Sequence, residues 1–182
     1  KYRNSFQTAS GKKVVRKCQS MFVYFPWVLG RPGESILTAV DATGICNDLS
    51  ICTMEMYNII HWLETCYKAG FMTDKEIGLD MSTLGTLDFF ENLANMIAHR
   101  KGFGDILAEG AMRAAKKFKA DELAMHVKGQ ELATYEPRGV VGMGLSYAIS
   151  PKGGHHMIAP TMGLEVAGDP DQRLRPNGKA EM

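Results

Sequence analysis

The sequence predicts an all-α protein, a multi-helical, bundle-like domain with glycine-rich connections. Three observations carry this. Apolar residues recur at three- and four-residue spacing in successive segments between Ile36 and Phe118, the period of a helix buried on one side. Helix-starting and helix-ending residues punctuate those segments, such as Thr73 before one and Gly70 after another,. Beyond them lies one connection of unusual glycine density, Tyr135 to His156.

Taken in order, Lys1 to Lys17 is polar and basic with a turn at Ser10–Lys13, which reads as a solvated loop or hairpin. Met21 to Trp27 is aromatic and partly extended, and Pro26 argues against a central helix or strand there,. After a turn at Gly30–Gly33, a first helix runs from Glu34 to about Leu49. Its apolar side is Ile36, Leu37, Val40 and Ile45, interrupted by Thr43-Gly44. A second runs from Thr53 to Ala69 on Met56, Ile59, Ile60, Leu63 and Tyr67, and Gly70 ends it,. Thr73-Asp-Lys-Glu76 is a capping box for a short third helix,. A loop at Gly78–Gly85 precedes a helix from Thr86 to Arg100, with Leu87, Phe90, Leu93, Ala94 and Ile97 on one face. Gly102-Phe-Gly104 breaks it, and Asp105 caps a helix from Ile106 to about Lys119,. Leu107, Gly110, Ala111, Ala114 and Phe118 give that helix a small-residue stripe,. Lys116, Lys117 and Lys119 complement its dipole,. His126–Lys128 is a short extended piece, Val140–Ile149 a short helix, and the chain beyond Gly168 a polar loop or linker,. The resulting division is an irregular, extended lead-in (1–33), a helical domain (34–134), and the start of a second helical domain with a polar tail (135–182).

Composition narrows the function. The formal net charge is +1, so no basic field argues for nucleic acid or an anionic membrane surface. No apolar run approaches the roughly 20 residues of a membrane-spanning helix. Cysteines 18, 46, 52 and 66 are scattered without a C-x-x-C. That suits a reducing, cytoplasmic setting rather than a disulfide framework. Cys46 and Cys52 are six apart, which is not a same-face helical spacing, so they are a poor metal pair,. The 12 methionines read as packing,. From residue types alone, Tyr135–His156 is either a glycine-rich connection with satisfied histidines or a wall where glycines admit a bulky ligand and a histidine is aimed into a cavity,.

Three ordered motifs sharpen that choice. They are Arg100-Lys-Gly-Phe-Gly-Asp-Ile-Leu-Ala-Glu-Gly110, Met125-His-Val-Lys-Gly129, and Tyr135-Glu-Pro-Arg-Gly-Val-Val-Gly-Met-Gly-Leu-Ser-Tyr-Ala-Ile-Ser-Pro-Lys-Gly-Gly-His-His156. Their order and content resemble the C-terminal helical half of the tungsten-containing aldehyde ferredoxin oxidoreductases, over about Ile36 to Gly168. The resemblance implies helical domains of the domain 2/3 type that close over an N-terminal pterin-binding domain. It implies oxidation of aldehydes to carboxylic acids, tungsten (or molybdenum) held by two pterins, and a [4Fe–4S] cluster passing electrons to ferredoxin or another electron-transfer subunit. The cluster ligands are expected outside this chain segment.

By the same resemblance, the family's pterin motif D-x-x-G-L-[DC] falls on Asn47-Asp-Leu-Ser-Ile-Cys52. Asn47, Ile51 and Cys52 are therefore candidate cofactor-binding residues, with Asn47 and Ser50 departing from the pattern. His156 falls where the family carries a histidine near the metal and is the candidate catalytic residue. His155 stands where a cysteine or small residue is usual. The family's glutamate beside the metal has no counterpart between Lys17 and Gly33, where Ser20, Phe22 and Tyr24 stand instead. Asp41 and Glu91 match positions where some relatives bind a metal between subunits; solvated helix-face carboxylates are the plainer reading. No metal ligand is assigned within the chain. A homo-oligomer is expected, because methionine-rich helices that close over another domain leave apolar surface exposed. Two alternatives stay open. One is a reductive relative, such as an aryl-CoA reductase subunit with Cys52 on the metal. The other is a non-catalytic helical module kept for assembly.

Overall fold

The computed structural model describes residues 3–8, 11, 13–132, 134–158 and 161–166. The chain is all-α in class, with two short antiparallel hairpins. It divides into two compact units, residues 1–125 and 126–182.

In the first unit, β1 (Arg3–Gln7) and β2 (Lys13–Lys17) pair antiparallel with Phe6 opposite Val14. Alternation turns Val14 inward, 8% exposed, and Val15 outward,. Arg16 shares the Val14 face.

The aromatic segment departs from its expected extended form. It makes two short helices, α1 (Cys18–Phe22) and α2 (Phe25–Val28). Pro26 is the second residue of α2. In a first turn its missing N–H has no helical partner to lose, so proline is tolerated there.

The long helices follow the periodicity. In α3 (Ile36–Asp48), Ser35 Oγ accepts from Leu37 N at 3.2 Å and Thr38 Oγ1 accepts from Ser35 N at 3.4 Å, closing the helix start,. In α4 (Thr53–Lys68), Met56, Ile59, Ile60, Trp62, Leu63 and Cys66 are buried. Each such side chain stabilises the fold by about 1.5–3 kcal/mol when taken fully from water. The Thr73–Glu76 capping box forms as read, starting α5 (Asp74–Ile77). In α6 (Leu87–Ala98), Phe89 is buried along with Phe90, Leu93, Ala94 and Ile97, while Leu87 is only half-buried.

The expected helix from Ile106 to Lys119 is in fact two. They are α7 (Phe103–Leu107) and α8 (Ala111–Phe118), and α7 is preceded by Gly102 rather than capped by Asp105. Gly110 has φ +88°. That left-handed backbone is cheap only for glycine and breaks the helix. Gly104 serves another end. A Cβ there would overlap the Met96 carbonyl, so its absence lets α7 lie directly on the end of α6.

The second unit holds β3 (His126–Val127) and β4 (Gln130–Glu131). Lys128 and Gly129, with φ +54° and +86°, make the tight turn between them. Helix α9 (Val141–Ile149) buries Met143, Ser146 and Tyr147. Its opposite face exposes Val141, Leu145 and Ile149 at four-residue spacing. A short α10 (Met162–Val166) follows, with Glu165 accepting from Gly142 N at 3.0 Å. The polar stretch beyond Gly168 lies outside the described residues. No helix among the described residues is long and apolar enough to cross a membrane.

Candidate functional site

The junction between α3 and α4 is built by a turn that leaves little freedom. Ile51 N donates to Cys46 O at 2.7 Å and Ser50 N donates to Asn47 O at 3.2 Å, the paired bonds that end a helix through a left-handed residue. That residue is Ser50, with φ +59°. A glycine would adopt this conformation freely, whereas a residue with a Cβ loses roughly 1–2 kcal/mol. The turn reverses the chain so that Asn47, Ile51 and Cys52 share one side. Cys52 then sits at the start of α4 without capping it by its side chain.

These three residues line one cavity of ≈ 530 Å³, together with Val15, Arg16, Ser20 and Thr53. That volume is in the range of small-molecule sites. Asn47 and Cys52 are exposed, and Cys46 and Cys66 are buried.

Arg16 reaches the cavity because α3 makes room for it. A Cβ on Gly44 would lie 2.5 Å from Arg16 Nη2. With glycine there, the guanidinium lies across the helix, and Arg16 Nε donates to Val40 O at 3.4 Å. Nη1 donates to Val15 O at 3.1 Å. Beside it, Thr43 Oγ1 donates to Ser20 O at 2.8 Å and fixes the chain leaving β2. The Thr43-Gly44 interruption in the apolar pattern is thus the dock for the lead-in segment. A glycine inside a helical pattern is a signal of close approach, and it was the available clue to Arg16.

Of the three residues in the region matching the missing glutamate, Ser20 lines the cavity and Phe22 is exposed. Tyr24 is fully buried, its hydroxyl 3.0 Å from Cys46 Sγ. Burial, then the neighbouring Cys46, push the Tyr24 phenol well above its ordinary value. Burial pushes the Cys46 thiol up to about 11. Both stay protonated at neutral pH, so this pair holds the wall behind the turn and supplies no base. Asp41 on α3 is half-buried rather than solvated; burial raises its carboxyl and Arg16 partly offsets this. No group of three or more His, Cys, Asp or Glu suited to a metal occurs among the described residues.

In the second unit, Gly153 and Gly154 lie on the β3–β4 hairpin. Gly153 has φ +83°, and a Cβ there would overlap the Val127 carbonyl oxygen; one on Gly154 would come within 2.7 Å of Glu131 O. This close approach fixes the backbone that carries the two histidines. The His156 ring meets Tyr135 edge-on, with centroids 5.4 Å apart and planes at 68°, and stacks on His155 at 6.0 Å. Tyr147 Oη donates to Tyr135 O at 3.4 Å and ties that segment to α9. Burial, then His155, lower the His156 value below 6.5. The imidazole is therefore neutral at pH 7 and able to accept a proton.

The donor set at the first-unit cavity suits the edge of a pterin. Asn47 offers one acceptor oxygen and two N–H donors, where an aspartate would accept only. Ser20 and Thr53 add hydroxyls, Ile51 an apolar surface, and Cys52 a soft sulfur,.

Comparison with known proteins identifies the family. The family model described as aldehyde ferredoxin oxidoreductase, domains 2 & 3, matches residues 34–182. The tungsten-containing aldehyde ferredoxin oxidoreductase of Pyrococcus furiosus is 33% identical over 147 residues, covering 79% of this chain and 24% of that protein. The protein of the same name from Thermococcus kodakarensis is 31% identical over 147 residues, with the same two coverages, 79% and 24%. An aliphatic sulfonate oxidoreductase, WOR-like subunit, of Pyrococcus furiosus is 29% identical over 120 residues, which is 62% of this chain and 19% of that protein. The chain spans about a quarter of the length of the first two, 24% in each. The matched residues, 34–182, make up most of the chain, so this chain belongs to the aldehyde ferredoxin oxidoreductase family and carries sequence of its domains 2 and 3.

Proposed function

We infer that this chain forms one wall of a tungsten–pterin site in an oxidoreductase that converts an aldehyde to a carboxylic acid. The observation that carries this is the convergence of Asn47, Ile51 and Cys52 on one cavity. In the full protein the site is completed by an N-terminal pterin-binding domain. A [4Fe–4S] cluster held outside these residues hands electrons to ferredoxin. Bound tungsten (or molybdenum) would supply the two-electron acceptor that aldehyde oxidation needs.

The chain's own residues bind and move a proton. Asn47 and the hydroxyls of Ser20 and Thr53 would hold polar groups of the cofactor, and Ile51 would give it an apolar contact. Converting an aldehyde to an acid takes one oxygen from water and releases two protons with two electrons. His156, neutral at pH 7 and fixed by Tyr135 and the Gly153-Gly154 seat, accepts one of those protons.

A second reading has one observation in its favour. Cys52 is a free, exposed thiol lining the cavity, which suits a soft ligand to the metal in a reductive, aryl-CoA reductase-like enzyme.

The test is metal analysis and aldehyde-dependent reduction of ferredoxin by the full-length protein. Tungsten with aldehyde oxidation supports the first reading. Tungsten with a sulfur ligand lost in Cys52→Ala favours the second. Neither tungsten nor molybdenum in the full-length protein defeats both.

A further inference from the structure

The mechanism above leaves Arg16 without a task. Among the described residues it is the one cation lining the first-unit cavity, and the fold goes to some length to hold it there. Strand alternation puts it on the inward face of β2. Gly44 clears the helix surface beneath it, and two carbonyls, Val40 O and Val15 O, fix Nε and Nη1. Among the described residues it forms no ion pair, although arginines 100 and 138 each do. Asp41 lies close enough to feel its charge and yet is not bonded to it. A half-buried guanidinium anchored through Nε and Nη1 at the edge of a cavity is a pre-formed partner for planar or tetrahedral oxyanions. Neutral donors stand around the same space: the Asn47 amide and the Ser20 and Thr53 hydroxyls,. The start of α4 adds N–H groups that no Cys52 side-chain cap consumes,. Among the described residues lining the cavity there is no carboxylate to compete.

We propose that the Arg16 cavity is an anion-recognising site that takes a carboxylate or phosphate group, with the guanidinium as its charge and Asn47, Ser20 and Thr53 as its neutral donors. This deepens the reading above, because it concerns the same cavity, but it needs neither tungsten nor pterin to be right. The anion has two possible sources: a phosphate carried by the bound cofactor, or a carboxylate carried by the substrate.

The test uses full-length protein grown without tungsten or molybdenum, so that the cavity is open. Cys52 is exposed at the cavity while Cys46 and Cys66 are buried, so alkylation of Cys52 by neutral iodoacetamide, followed by peptide mass spectrometry, reports occupancy. Inorganic phosphate and benzoate are each added against chloride of equal ionic strength. A saturable slowing of Cys52 alkylation is expected, about tenfold when the anion exceeds its dissociation constant roughly tenfold. The slowing is lost in Arg16→Gln and largely kept in Arg16→Lys. Protection by phosphate alone assigns the site to a cofactor phosphate, and protection by benzoate assigns it to a substrate carboxylate. No protection by either anion, or protection that survives unchanged in Arg16→Gln, overturns the proposal. Full-length protein that never acquires tungsten would sink the pterin reading and leave this result standing.

Discussion

Two stretches of this chain offer candidate functional side chains, and they do so by opposite means. Tyr135–His156 is dense in glycine, and its glycines let backbone press on backbone: Gly153 and Gly154 seat on the β3–β4 hairpin. The stretch from Asn47 to Thr53 has no glycine at all. There the sharp turn is made by Ser50 in a left-handed conformation, and the space is a cavity rather than a packed seat. The glycine-rich stretch is packed tightly at Gly153 and Gly154, where a Cβ would meet backbone oxygens. The glycine-free turn is rigid because paired hydrogen bonds hold a residue that would prefer another conformation. Glycine density at Gly153 and Gly154 marks a packing contact, whereas the cavity lies beside a turn without glycine.

Four changes break or sharpen this contrast. The largest effect is expected at His156. His156→Gln in the full-length enzyme should cut aldehyde turnover by about 10²–10⁴-fold, the usual worth of a positioned proton acceptor. Circular dichroism should stay native. Turnover within twofold of wild type would remove His156 from the chemistry. Next is Gly153→Ala, which combines a clash with the Val127 carbonyl and a left-handed backbone. A loss of about 2–4 kcal/mol in urea unfolding is expected, beyond the ordinary range of a surface change. Loss below 0.5 kcal/mol on the same generic scale would mean that the seat is loose.

Smaller and opposite in sign is Cys52→Asp. An aspartate at this helix start can accept from the first-turn N–H groups as Cys52 does not. A gain of about 1 kcal/mol is expected, and a loss would show that the sulfur packs better than a cap would hold. Ser50→Gly should also stabilise by about 1 kcal/mol, by removing the Cβ from a left-handed position. No change in melting temperature would mean that the serine carries no strain.

His156 also gives the contrast a pH signature. Its folded-state value is below 6.5, so at mildly acid pH the unfolded chain binds the proton that the folded chain refuses. Its contribution to stability is therefore present above its ordinary range and lost as pH falls through it. The urea midpoint of wild type should drop more steeply than that of His156→Gln between about pH 7 and pH 5, the range around the ordinary histidine value. Parallel profiles would contradict this.

The helices were legible in the sequence because their apolar period and caps are local: Thr73 starts one helix and Gly70 follows another. Two features were not. Pro26 argued against helix, but the argument holds only for helix interiors, and here it occupies a first turn,. Gly110 read as one small residue in a stripe, when its backbone φ of +88° makes it the break between α7 and α8. Asn47, Ile51 and Cys52 were picked out by resemblance to the family's motif, and one turn brings them to one cavity. Arg16 comes from a strand some thirty positions away in the sequence,. Its only local sign was Gly44 within a helix, and a single glycine does not say what lies on it.

The central claim is that the turn after α3 holds a pterin. Asn47 is exposed, so Asn47→Leu removes its donors and acceptor while sparing the core. The most direct measurement is tungsten and pterin content per full-length chain, wild type against Asn47→Leu, with melting temperature as control. Wild type should carry both. In Asn47→Leu both should fall together, with a loss of affinity of about 10–100-fold, at unchanged melting temperature. Wild-type protein without tungsten or molybdenum, or Asn47→Leu with full pterin content, would contradict the claim.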